Sequence, residues 1–484
     1  MTSLRQKTVS GLTWSFIDSI SGQGIQFIVG IILARMLTPR EFGLIGMITI
    51  FIAVSESFIN SGFSSALIRK KECTQADYST VFFFNLIAGV IFFSILYLTA
   101  PAISRFFKEP ELRSIIQVLG IVLIIDSATL IQRTILTKQI NFKLQTRISV
   151  IAALGSGAMA VGMAYSGFGA WSLVAQRLCK QAINSLLLWL WNKWKPIAVF
   201  SRQSFRELFG FGSKLLASGL IDTIYRNVYY LIIGKFFSAR ELGYYTRADQ
   251  FNALPSQSLT GVIGRVSYPI LSSIQDDKPR LKNNYQKLIR STMFITFILM
   301  LGMAAVSEPM IITLIGEKWR PSIIYLQMLS FVGMMYPLHA LNLNMLQVSG
   351  RSDLFLKLEV IKKILAIPTI VIGVIWGIKM MIIGMMVNTL IAYYLNSYWS
   401  GRFIGYSYKQ QVVDILPSFG LALTMALFVY LLGLFLPFPY LWNLVIQITA
   451  GAIFILLFCE ITRFRDYLFV KELVIEKLKD IRKK

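Results

Sequence analysis

Arg177 and Lys180 stand three residues apart, one helical turn, inside a stretch dominated by apolar residues. Two cations on one face, with no acid in their own segment, call for an anion from elsewhere. Phosphate would serve, and so would a carboxylate such as Glu56 or Asp126 on a neighbouring segment. Both readings stay open. Asp222 and Arg226, four residues apart, can neutralise each other or join a larger charged site. Lys214 and Arg133 lie nearer to segment ends, where long basic side chains reach back toward water. With Arg177, Lys180 and Arg226 they complete a candidate set for binding a diphosphate.

The acids Asp18, Glu56, Asp126 and Asp222 are candidates for coupling to H+ or Na+, or simply balance the arginines. Asp18 belongs to a polar stripe with Ser15, Ser19, Gly22, Gln23 and Gln26 that must face protein or water. The single histidine, His339, follows Pro337 and precedes Asn342, Asn344 and Gln347. A proton relay and a hydrogen-bonded packing role are both open to it. One histidine and three widely spaced cysteines, Cys73, Cys179 and Cys459, exclude most His-dependent catalysis, a disulfide framework and a zinc site. With no GxSxG, Walker or HExxH motif and no long hydrophilic loop, the chain reads as a non-enzyme without a cofactor.

The elements that hold these residues are membrane spans. Of the 484 residues 55% are hydrophobic and 15% charged, and the mean hydropathy is +0.62. A soluble chain carries about 25% charged residues. Windows of about twenty apolar residues predict an all-α integral membrane protein with about fourteen transmembrane helices. These fall near 10–34, 43–67, 80–101, 113–136, 148–166, 169–191, 208–236, 247–270, 289–314, 322–348, 356–376, 380–400, 414–436 and 441–463. The first hydrophobic stretch is longer than a signal-peptide core and reads as a retained helix.

The net charge of +24 would suggest nucleic acid in a soluble protein. Here it follows from loops. With the N-terminus in the cytoplasm, about two thirds of the Lys and Arg residues fall on the cytoplasmic side. Arg69-Lys70-Lys71, Lys193/Lys195/Arg202/Arg206 and Lys278/Arg280/Lys282/Lys287/Arg290 all land there, which predicts both termini inside and no nucleic-acid partner. Segment 276–290 and the tail read as basic amphipathic helices on anionic lipid. Trp171, Trp189, Trp191, Trp194, Trp376 and Trp399 sit near span ends, as an aromatic belt would. Pro255, Pro269, Pro337, Pro368 and Pro417 interrupt spans and mark kinks or hinges.

Spans one and seven read as copies. Ile17-Asp18-Ser19-Ile20 is echoed by Ile221-Asp222-Thr223-Ile224, and Gly30 by Gly234. The loops that follow read Arg40-Glu41-Phe42-Gly43 and Arg240-Glu241-Leu242-Gly243. A parallel repeat implies two pseudo-symmetric six-helix lobes. The expected division is a lobe at 1–191, a cytoplasmic linker at 192–207, a second lobe at 208–400, accessory helices 13 and 14 at 414–463, and a basic cytoplasmic tail at 464–484.

Further motifs then make the chain recognisable. They are Ala34-Arg35-Met36-Leu37-Thr38-Pro39-Arg40-Glu41-Phe42-Gly43, Asn60-Ser61-Gly62-Phe63, Tyr268-Pro269-Ile270-Leu271-Ser272, Gly316-Glu317-Lys318-Trp319 and Gly350-Arg351. In this order against the helix map, the chain resembles the polysaccharide transporters of the multidrug/oligosaccharidyl-lipid/polysaccharide superfamily, the O-antigen and exopolysaccharide flippases. The resemblance implies alternating access around a cationic cavity. The cargo it implies is a lipid (undecaprenyl) diphosphate-linked oligosaccharide, carried across the bacterial inner membrane for O-antigen, capsule or exopolysaccharide synthesis. Membrane lipids, a polysaccharide polymerase and glycosyltransferases are the implied partners of a monomeric carrier. A lipid II flippase and a multidrug efflux transporter of the same superfamily are the alternatives.

Overall fold

The structure is a computed structural model that describes residues 4–482. The side chains of 4–13, 15–20, 262, 265, 266, 352, 473, 474 and 476–482 fall outside that description, and so do Ser15, Asp18 and Ser19 of the predicted polar stripe. Among the described residues the chain is all-helical. The helices are α1 (Leu4–Met36), α2 (Pro39–Asn60), α3 (Phe63–Arg69), α4 (Gln75–Phe107), α5 (Leu112–Leu119), α6 (Ile121–Lys138), α7 (Phe142–Tyr165), α8 (Ala170–Trp191), α9 (Arg202–Phe236) and α10 (Ala239–Ser272). They continue with α11 (Lys278–Ala305), α12 (Ser307–Ile315), α13 (Ser322–Gly333), α14 (Tyr336–Val348), α15 (Ser352–Trp376), α16 (Ile378–Ile404), α17 (Tyr408–Phe435), α18 (Tyr440–Ile461) and α19 (Arg465–Arg482).

Among the described residues, nine helical segments are long and apolar enough to cross a membrane. Their outward faces carry large apolar side chains that a soluble fold would bury, such as Leu98 at 76% exposure and Leu434 at 61%. The chain is a multi-pass membrane protein. Outside those nine lie α1, α8, α9, α10, α12, α15 and α19, of which α1, α10, α15 and α19 contain side chains outside the description. Most of the predicted charged-site residues ride on α8 and α9.

The fold divides into two compact units, Met1–Gly243 and Tyr244–Lys484. In the first, α7 packs on α1 and α8, α4 on α6, and α2 along α9. Its core joins Phe63, Leu67, Val81, Phe82, Ile131 and Leu208. Trp189 and Trp194 pack against this core instead of forming part of a lipid-facing belt. Their indole N–H groups donate to the Ala128 carbonyl (3.2 Å) and to Gln75 Oε1 (2.8 Å), and both rings meet Phe82 edge-on. In the second unit α11 packs on α17, α15 on α16, and α17 on α18, around Met293, Phe297, Leu341, Met345 and Met425. The sequence repeat assigns α9 to the second lobe, whereas its packing partner is α2. The first grouping rests on sequence similarity and the second on contact.

Local chemistry explains where helices start and stop. Thr38 and Glu41 form a capping box at the start of α2, with Thr38 N donating to Glu41 Oε2 at 2.5 Å. The repeated loop does the same work at α10, where Glu241 N donates to Ser238 Oγ at 3.1 Å. Between these two caps the chains cross at glycines. A Cβ on Gly43 would overlap the Ala239 carbonyl, and one on Gly243 would overlap the Pro39 carbonyl.

Two expectations change. The predicted surface helix over 276–290 is the first part of α11, begun by the Asp277 cap and Pro279 and running on without a break to Ala305. The tail helix α19 is packed, with Tyr467 and Val470 set against the second unit's core. The helices also continue through Pro255, Pro269, Pro368 and Pro417, while Pro337 opens α14 after the break at 334–335.

Candidate functional site

The charged residues of the first unit meet through four helices. Arg177 of α8 donates from its guanidinium to Glu56 Oε1 of α2 at 2.8 Å, and each side chain remains about one third exposed. One turn further along α8, the Gln181 amide donates to Asp126 Oδ1 of α6. Lys180 sits between Arg177 and Gln181 in sequence and is half-buried. On α9, Arg226 Nε donates to Asp222 Oδ2 at 2.8 Å. Ser57 and Thr223, the residues next to Glu56 and Asp222, join α2 to α9 by a hydroxyl pair at 3.0 Å.

The result is a polar seam across helices that are otherwise apolar. Two acid–base pairs lie on adjoining helices, and a third acid is held by an amide. The pair on α9 is more exposed, with Arg226 at 69% and Asp222 at 44%. Lys214 and Arg133 are exposed on α9 and α6. The structure therefore supplies a carboxylate partner for Arg177 and leaves the pair partly exposed. A phosphate reaching Arg177 would exchange with Glu56.

Sequence reasoning overlooked Gln181, although its spacing of four from Arg177 puts the two on one face. A neutral amide does not stand out in an apolar span as a charge does. Ser57 and Thr223 were equally silent, because isolated hydroxyls satisfy themselves within a helix.

The second unit holds a separate polar group. His339 Nε2 lies 2.9 Å from Thr389 Oγ1, and the Asn396 amide donates to His339 Nδ1 at 3.3 Å. The adjacent Asn342 accepts from Ser400 Oγ at 2.6 Å, and Asn344 donates to Ser267 Oγ at 2.9 Å. Both ring nitrogens of His339 are thus engaged by α16 side chains, an arrangement that fixes the ring. Lys362 is paired with Glu359 one turn earlier on α15, which eases the burial of a basic span. Among the described residues no cluster of three or more His, Cys, Asp or Glu side chains is placed to hold a metal ion.

Comparison with known proteins places this geometry in context. A family model described as "Polysaccharide biosynthesis protein" matches residues 32–324. The lipopolysaccharide biosynthesis protein WzxC of Escherichia coli (strain K12) is 27% identical over 441 residues, covering 90% of this chain and 89% of WzxC. The teichuronic acid biosynthesis protein TuaB of Bacillus subtilis (strain 168) is 27% identical over 357 residues, 73% of this chain and 74% of TuaB. Among solved structures, the lipid II flippase MurJ in an inward closed conformation superposes with a TM-score of 0.75 at 15% identity. The match covers 95% of this chain and all of that one. At that identity the likeness is one of fold.

Proposed function

Because the chain belongs to the polysaccharide biosynthesis protein family, we propose that it is a flippase for a lipid (undecaprenyl) diphosphate-linked oligosaccharide. It moves this cargo from the inner to the outer leaflet of the cell inner membrane by alternating access, in surface polysaccharide synthesis. Both termini lie in the cytoplasm in this reading. The relatives named for lipopolysaccharide and teichuronic acid biosynthesis support the cargo class.

The observation that carries the mechanism is the Arg177–Glu56 pair, with Lys180 one turn away. A diphosphate cannot enter an apolar interior without charge-paired partners, since an unpaired ion there costs several kcal/mol. Arg177 and Lys180 provide two cations on one helix face, and Arg226 offers a third on α9. In the absence of cargo the guanidiniums are held by Glu56 and Asp222. When the diphosphate takes Arg177, Glu56 loses its partner and becomes the group that binds H+ or Na+, which couples cargo to an ion gradient. The protein acts as a carrier, with the sugar chain supplied by glycosyltransferases and used by a polymerase.

The test is charge neutralisation at the pair of cations. A well-expressed Arg177→Gln/Lys180→Gln double variant should lose surface polysaccharide and accumulate the lipid-linked precursor in the inner leaflet. Wild-type polysaccharide in that strain would sink the proposal.

A further inference from the structure

A second cluster, unrelated to the polar seam, lies at the ends of α3 and α6. Lys138 is the last residue of α6, and Cys73 sits in the turn between α3 and α4. The Lys138 ammonium donates to the Leu67 carbonyl at 3.0 Å and to the Lys70 carbonyl at 2.5 Å, the free carbonyls at the C-terminal end of α3. Its remaining direction meets Cys73 Sγ at 2.8 Å. That is an oxygen-like separation, although sulfur is the larger atom; the same sulfur stands 3.3 Å from the Leu67 carbonyl. Two carbonyls therefore hold an amine nitrogen against a thiol, and both residues are only half-buried. Cys179, on α8, and Cys459, buried on α18, show no such amine neighbour among the interactions of the described residues.

We propose that Cys73 and Lys138 are a modification site, at which an oxidant of the peroxide class links the two side chains through one oxygen atom, Nζ–O–Sγ. A single bridging oxygen would hold nitrogen and sulfur slightly closer than the contact seen here, so only a small movement closes it. One peroxide converts the thiol to a sulfenic acid and leaves as water. The ammonium then gives one proton to solvent. A second peroxide removes two electrons and two hydrogens as the N–O bond closes, leaving as two waters. In sum, thiol, amine and two hydrogen peroxide molecules give the bridge and three waters. Sulfur and nitrogen are oxidised and both peroxides are reduced.

The bridge would staple the turn at 70–74 to the end of α6. That turn carries Lys70, which pairs with Asp77 of α4 and Glu207 of α9, each at 3.1 Å. Oxidation would thereby stiffen the junction of four helices, on the face that the loop charges assign to the cytoplasm.

The test uses the full-length protein in detergent, treated with hydrogen peroxide and mapped by peptide mass spectrometry. The expected product is a cross-linked peptide pair containing Cys73 and Lys138. Its mass exceeds the sum of the two peptides by one oxygen less two hydrogens, about 14 Da, and dithiothreitol reverses it. The Lys138→Arg variant keeps the carbonyl contacts and should not form the product, and neither should Cys73→Ser. If the variants fail to fold, the wild-type map stands by itself. Cys73 still open to alkylation after peroxide would overturn the proposal. So would Cys73 as a sulfinic acid, or in a disulfide with Cys179, with Lys138 unmodified.

Discussion

At the scale of single residues, the Arg177–Glu56 pair sits between two regimes. Fully exposed pairs contribute about 0–1 kcal/mol, and breaking a buried pair costs about 3–5 kcal/mol. With each partner about one third exposed, the loss on removing one should fall between, about 1–3 kcal/mol. Arg177→Gln and Glu56→Gln should each lower the thermal melting temperature of the detergent-solubilised protein. The double variant should recover part of the loss, because neither ion is then left without its partner. A double variant that melts at the sum of the two single shifts would show that the pair is not coupled. The charges themselves were legible in the sequence, since an ion in an apolar span is costly and stands out. Their pairing was not, because Glu56 and Arg177 are 121 residues apart and meet only through the packing of α2 on α8.

At the scale of elements, the C-terminal helix is bound by a buried ion pair. Arg290 of α11 reaches Asp466 of α19 at 2.8 Å, and their side chains are 12% and 3% exposed. Ser418 of α17 donates to the other oxygen of Asp466 at 2.8 Å. Asp466→Asn leaves the arginine without its full counter-charge in a site closed to water. We expect a loss of about 3–5 kcal/mol and trypsin cleavage within the tail that the wild type resists. Limited proteolysis with a melting curve reads both. The amphipathic pattern of 276–290 and of the tail was visible in the sequence, but amphipathicity does not say what covers the apolar face. A lipid surface and the core of a neighbouring helix bundle select the same residues. The Asp277-Lys278-Pro279 start signal was the one local clue that α11 begins early.

At the scale of the whole molecule, the fourteen-span reading and the nine strongly apolar segments differ by the polar helices. Charge accounts for part of that difference: α8 and α9 carry the charged seam, and α15 carries Lys362 with Glu359. Hydropathy therefore undercounts spans where charged and amide side chains pair across helices. Fourteen spans require an even number of crossings. A phosphatase reporter fused after Lys484 should be inactive, and a cytoplasmic fluorescent reporter there should be bright. The opposite pattern would mean an odd number of spans or an N-terminus outside. In the sequence a repeat shows in the acid and the cap at matched positions. Matched positions carry no information on contact, so the packing of α9 along α2 is seen only in the fold.

The glycine crossing between Thr38–Gly43 and Ser238–Gly243 bears on how such a chain can change over time. Each glycine leaves room for the other copy's main chain, so the missing methyl group is occupied by peptide backbone that no substitution can shrink. Gly43→Ala or Gly243→Ala should cost about 2 kcal/mol or more, read as lost melting temperature and lost surface polysaccharide. Second-site suppressors of either change should therefore not arise by trimming a facing side chain. These two positions are a matched pair of blanks, each held empty by the main chain beside the other, while neighbours such as Phe42 and Leu242 differ between the two loops.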